Sequence, residues 1–135
     1  MGHGAAKSRD AVLRIIPVQP VSQPPLPDIE IEGEPFVWPD ITRQWWSMWA
    51  SSPLSADFTD TDWSELRDTA MLHARFWAGD HKVAPELRLR VAKFGATPED
   101  RARLRIQFAT ADHVEQRGAG SPAVPQSNRR RLVGE

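Results

Sequence analysis

The sequence predicts an all-α fold: a compact bundle of about four helices between a disordered Pro-rich N-terminal arm and a disordered basic C-terminal tail. Three observations carry this reading. Trp63, Leu66, Ala70, Ala74 and Trp77 recur at three- and four-residue steps, which places them on one side of a helix. Six Trp and five Phe, with no Tyr, lie almost wholly between Phe36 and Phe108. Much of the Pro and Gly lies in the flanks, so residues 1–39, 40–115 and 116–135 read as arm, helical core and tail.

Composition narrows the function classes. The net charge of −1 gives no overall basic footprint of the kind nucleic-acid binders often carry. Without Cys there are no disulfides, thiolate zinc sites or Cys nucleophiles. No apolar run approaches the ~20 residues that span a bilayer, and the N-terminus lacks a signal-peptide core, so the expectation is a soluble, intracellular protein.

The arm contains seven Pro in its 39 residues, centred on Gln19-Pro20-Val21-Ser22-Gln23-Pro24-Pro25-Leu26-Pro27. Proline fixes φ and lacks an amide donor, so this stretch should be extended or disordered and unpacked, a flexible arm. A sharper reading makes it a strap for an aromatic groove on a partner. Asp10–Ile16 is apolar but too short for a lone helix.

The first helix follows Trp38-Pro39. Asp40 or Thr42 caps it, Ile41, Trp45, Met48 and Trp49 form its stripe with Trp46 alongside, and Pro53 ends or kinks it. Phe58 plugs the core from the connection. The central helix, Asp62–Gly79, starts from an Asp62/Glu65 capping box or from Thr59, Asp60 or Thr61, and Gly79 stops it. A third helix, Ala84–Phe94, has Pro85 in its first turn and turns Leu87, Val91 and Phe94 inward. Gly95 stops it. Thr97-Pro98-Glu99-Asp100 then supplies an N-cap, an N1 proline and early acids for a last helix, which carries Leu104, Phe108 and Ala111 and fades near Glu115. The tail from Gln116 holds four Arg against one Glu, a charge of 4 − 1 = +3.

Catalytic constellations do not emerge. There is no Gly-rich phosphate loop, and His3, His73, His81 and His113 are scattered without ligand spacing, which reads as surface or boundary histidines. No enzyme activity, cofactor or metal is expected. The cations say more. Arg88, Arg90, Lys93, Arg101, Arg103 and Arg105 crowd both sides of the Gly95 turn and are candidates for phosphate contacts, with Arg129, Arg130 and Arg131 as a second, salt-sensitive set. The bland alternative is a solvated face partly neutralised by Glu86, Glu99 and Asp100.

Several of these residues together carry a resemblance: Trp45-Trp46 and Trp49 before Ser52-Pro53, Asp62-Trp63 with Leu66, Glu86-Leu87-Arg88-Leu89-Arg90, and Phe94-Gly95-Ala96-Thr97-Pro98-Glu99-Asp100-Arg101. In this pattern, over Trp38–Phe108, the chain resembles the small terminase subunits of tailed phages infecting actinobacteria. The resemblance implies a non-enzymatic DNA-packaging factor working in the host cytoplasm. Such a factor assembles into a homo-oligomeric ring, recognises double-stranded viral DNA and delivers it to a large subunit that holds the ATPase and nuclease. A ring gives Trp45, Trp46, Trp49, Trp63 and Trp77 a subunit interface to fill. The sequence departs from many such subunits in having no clear helix-turn-helix near its N-terminus. Two rival readings are a protein–protein adaptor in phage head assembly and a small DNA-binding regulator.

Overall fold

The computed structural model describes residues 12–110 and divides the chain into two units, residues 1–91 and 92–135. Among the described residues there are four α-helices and two strands of two residues each, so the helical class holds.

The first unit opens with extended chain and a small hairpin, β1 (Glu30–Ile31) paired antiparallel with β2 (Glu34–Pro35). Glu32 and Gly33 take φ of 55° and 81°, the left-handed pair that a two-residue turn needs to match strand twist. Helix α1 (Asp40–Ser51) follows Pro39 without the side-chain cap expected of Asp40 or Thr42, and stops before Pro53, where Ser52 caps a 3-10 turn, Pro53–Ser55. Helix α2 (Asp60–Trp77) is the longest element. It starts not from the Asp62/Glu65 pair but from Thr59, one of the expected alternatives: the Asp62 carboxylate accepts from the Thr59 N–H at 2.8 Å and from its hydroxyl at 3.1 Å. Gly79 ends it as expected, at φ 109°, with Gly79 N–H donating to Phe76 O and Asp80 N–H to Arg75 O. A 3-10 turn (His81–Val83) leads into α3 (Ala84–Ala92), which buries no residue fully.

The core of this unit lies between α1, α2 and the Pro-rich segment. Trp38, Trp46, Trp49, Phe58, Trp63, Leu66, Ala70 and Ala74 form it, with Leu66 and Ala70 at 0% exposure. The central-helix stripe is as the periodicity predicts except at its last position, because Trp77 is 57% exposed. Phe58 is the expected plug, edge-on to Trp63 at 4.9 Å.

Three further expectations for this unit are corrected. The buried stripe of α1 is Thr42, Trp46 and Trp49, while Ile41 and Met48 face outward. Apolar residues line two sides of α1, and periodicity alone does not say which side meets α2. His73 is a buried residue, 7% exposed, not a boundary one. Its Nδ1 lies 2.9 Å from Thr42 Oγ1, which satisfies both polar groups across the α1–α2 contact.

The third correction concerns the Pro-rich segment. It is extended, as proline dictates, but from Val21 onward it is seated on the core. The indole N–H groups of Trp63, Trp46 and Trp38 donate to the carbonyls of Val21, Pro24 and Pro27 at 2.8, 3.0 and 2.9 Å. Val21 N–H donates to Phe58 O, and Gln23 Nε2 donates to Trp46 O at 2.6 Å. A buried indole needs an acceptor for its N–H, and a proline-rich chain exposes carbonyls that no local amide claims.

The second unit contains α4 (Pro98–Arg103). Its start is as expected: Thr97 Oγ1 accepts from Asp100 N–H, and the Asp100 carboxylate accepts from Thr97 N–H, both at 3.1 Å. The helix is shorter than the periodicity predicts. Arg105 turns to φ 60°, with Arg105 N–H donating to Ala102 O and Ile106 N–H to Arg101 O. Leu104, Ile106 and Phe108 are exposed, so no burial opposes this early stop. Ala111 and the expected end near Glu115 fall outside the described residues.

Candidate nucleic-acid interface

The candidate cations divide between the two units: Arg88 and Arg90 lie on α3 in the first, Lys93, Arg101, Arg103 and Arg105 in the second. Their local chemistry separates them further. Arg90 Nε donates to the Glu86 carboxylate at 2.8 Å, one helical turn back, and that hydrogen bond raises the Arg90 pKa above its already high value. Arg103 pairs with Glu99 at 3.3 Å in the same i,i+4 geometry. These pairs are the neutralisation that Glu86 and Glu99 suggested in the sequence.

Arg101 is occupied differently. Its Nη1 donates to Gly95 O at 2.9 Å, and its guanidinium lies 4.8 Å from the centre of the Phe108 ring. It ties the turn before α4 to the chain after it. Asp100 is engaged in the α4 cap. Arg88, Lys93 and Arg105 are exposed and form no ion pair with another described residue. Arg129, Arg130 and Arg131 lie outside the described residues.

Arg105 carries a further signal. Its φ of 60° is a conformation that costs a side chain with a Cβ roughly 1–2 kcal/mol and that helix ends normally give to glycine. Gly79, at φ 109°, occupies the equivalent left-handed place after α2. Among the described residues only Glu32, in the hairpin turn, shares a positive φ without being glycine. Nothing in the sequence pattern distinguishes Arg105 from Arg101, because the early end of α4 is not written in its periodicity.

The five candidate interface indoles also sort by environment. Trp46, Trp49 and Trp63 are buried within their own chain. Trp45 is half-buried and stacked on His73 at 4.7 Å, and Trp77, 6.3 Å from His73, is open to solvent. Ile41 and Met48 flank Trp45 at i−4 and i+3, the neighbouring positions on one helix side. The result is an outward apolar patch on α1 and the end of α2.

Among the described residues, no group of three or more His, Cys, Asp or Glu could hold a metal ion, and no helix is long and apolar enough to cross a membrane. A family model described as phage terminase small subunit matches residues 4–133, nearly the whole chain. Comparison with curated proteins and with solved structures returns no match.

Proposed function

The chain belongs to the phage terminase small subunit family, and on that premise we propose that it is a non-enzymatic packaging factor that binds viral DNA as a ring-like homo-oligomer. In this reading it delivers the DNA to the large terminase subunit, which supplies the ATPase and nuclease. The family match over residues 4–133 is the observation that carries the packaging role.

DNA contact is assigned first to Arg88, Lys93 and Arg105. Their charges are not offset by a described carboxylate, whereas Glu86 and Glu99 stand beside Arg90 and Arg103. These are phosphate contacts, which position a protein on DNA without reading its sequence. Arg129–Arg131 adds a second basic set in the tail. Self-association is assigned to Trp77, Trp45, Ile41 and Met48, because the other candidate indoles already fill the protomer's core.

The test is a fluorescence-anisotropy titration of viral DNA at several salt concentrations. It compares the full chain, a chain ending at Glu115, an Arg88→Ala/Lys93→Ala/Arg105→Ala variant and an Arg90→Ala/Arg103→Ala variant. Removing one cation that neutralises a phosphate should flatten the log–log salt slope by about 0.9. The triple variant should therefore show a much flatter slope than the paired-arginine variant. Equal slopes for all chains would remove the core cations from the interface. A monomer at tens of micromolar in light scattering would remove the ring.

A further inference from the structure

The hydrogen bonds of the Pro-rich strap, Val21–Pro27, give the first unit a direction. Val21 is held at the start of α2, with its N–H on Phe58 O and its carbonyl on the Trp63 indole. Pro24 is held by Trp46 in mid-α1, and Pro27 by Trp38 just before α1. The two helices run antiparallel. Thr42 near the start of α1 meets His73 near the end of α2, while Trp46, further along α1, meets Trp63 near the start of α2. The strap therefore runs from the end of the unit where α2 starts to the end where α1 starts. Read backwards, the chain upstream of Val21 leaves where α2 starts, at the end opposite Ile41 and Trp77.

The departing segment is apolar and uncovered. Val12, Leu13, Ile15, Ile16 and Val18 are each more than half exposed, in a stretch with no helix or strand. Pro17 and Pro20 fix their own φ and hold Ile16 and Gln19 extended, which favours continuing the course of the strap over reversing it. At ~3.3 Å per residue, Val12–Val18 spans about 23 Å. The chain's own outward patch of Ile41, Trp45, Met48 and Trp77 lies toward the other end, since α2 rises about 21 Å from Trp63 to Trp77. A segment rooted at Val21 that doubled back would use nearly all of its length to arrive there.

Two unlike apolar surfaces thus stand at opposite ends of one unit. An isologous dimer uses one surface twice, whereas a head-to-tail contact uses two different ones and closes into a ring when its rotation allows. The lengths agree: Ile41 to Met48 covers about 10 Å of α1, well within the reach of the extended segment. The charges agree as well. Arg14 sits between Leu13 and Ile15, and Asp40 precedes Ile41; both are exposed, and neither forms an ion pair with another described residue.

We propose that Val12–Val18 of one copy lies across the Ile41, Trp45, Met48 and Trp77 patch of the next, with Arg14 toward Asp40, as the head-to-tail contact of the oligomer. The proposal rests on the oligomeric reading above and names what covers its patch. The strap stays in its own protomer and anchors the segment that reaches out.

The test uses two full-length variants altered only at exposed side chains. The arm variant carries Leu13→Asp/Ile15→Asp/Ile16→Asp and keeps the patch. The patch variant carries Met48→Asp/Trp77→Ala and keeps the arm. Light scattering should find each a monomer at a concentration where wild type is assembled, and circular dichroism should find each as helical as wild type. Mixed, they should form a one-to-one heterodimer and nothing larger, because each pair retains one intact contact. Either variant keeping the wild-type mass overturns the proposal and leaves the oligomeric reading intact. Two helical monomers that stay apart when mixed overturn the pairing of these surfaces. A wild type that is itself a monomer defeats the oligomeric reading, and the proposal with it.

Discussion

Protonation of His73 offers a direct test of how the α1–α2 contact is built. The ring is buried, stacked on Trp45 and joined through Nδ1 to the Thr42 hydroxyl. Burial disfavours the charged form and lowers its pKa from 6.5 to about 4. The sign follows from which state binds the proton. Well above pH 6.5 the ring is neutral in both states and contributes no pH dependence. Between pH 6.5 and about 4 the unfolded chain takes a proton that the folded chain refuses, so stability falls as pH falls.

The full shift, 6.5 − 4 = 2.5 units, corresponds to about 3 kcal/mol. Between pH 7.5 and 5.5 the expected loss is about 1.3 kcal/mol from this group alone. Urea unfolding of wild type and His73→Gln at both pH values isolates it, because the other histidines and the carboxylates cancel in the difference. Wild type should lose about 1.3 kcal/mol more than the variant over that interval. Equal losses would mean that His73 is hydrated enough to protonate in place, and the buried Thr42–His73 link would be refuted.

Three further outcomes follow from the geometry. Leu66→Ala opens a cavity at a position with 0% exposure and should cost about 2–5 kcal/mol in the same unfolding assay. Gly33→Ala meets no atom within 4 Å of the added carbon, so its cost is the backbone conformation alone at φ +81°, about 1–2 kcal/mol. Hydrogen exchange should place that loss at the Phe36–Ile29 and hairpin amides. Arg105→Gly relieves a left-handed arginine and should raise the stability of the α4 end by about 1 kcal/mol while weakening DNA binding. Opposite signs in exchange protection and anisotropy are the signature, and unchanged DNA affinity would remove Arg105 from the interface.

What the sequence made legible was local. The cap at Thr97, the Gly79 stop and the Phe58 plug are each settled by a few adjacent residues and found where the chemistry puts them, whereas the central helix starts from Thr59, with Asp62 as its N3 partner, rather than from an Asp62/Glu65 box. What it hid depends on contacts between distant segments. Trp46 and Trp45 are adjacent and chemically identical, yet one is buried by the strap and the other stacks half-buried on His73, because α1 meets different partners on its two sides. His73 lies i+3 from Ala70 and i−4 from Trp77 on the central helix, and only Thr42, thirty-one residues away, explains why it tolerates burial. The candidate cations were visible as a set. Their ranking was partly visible too, since Glu86–Arg90 and Glu99–Arg103 have i,i+4 spacing, whereas the tie of Arg101 to Gly95 and Phe108 depends on the early end of α4.

The strap changes what the tryptophan surplus means. Three indoles within five residues of one helix exceed what a single helix–helix contact buries, and the excess reads in the sequence as an interface between subunits. The proline run, considered by itself, reads as a free arm. Each feature is the answer to the other: indoles need acceptors when buried, and prolines leave carbonyls without amide partners. Trp46 and Trp63, with Trp38 from the loop before α1, therefore take their acceptors from the strap. Only Trp45 and Trp77 remain outward as side chains that self-association can still cover. The outward indoles and the strap are therefore separable: Trp77 faces solvent, while the strap closes the protomer's own core. Trp77→Ala should therefore weaken self-association in light scattering and leave the strap hydrogen bonds in place.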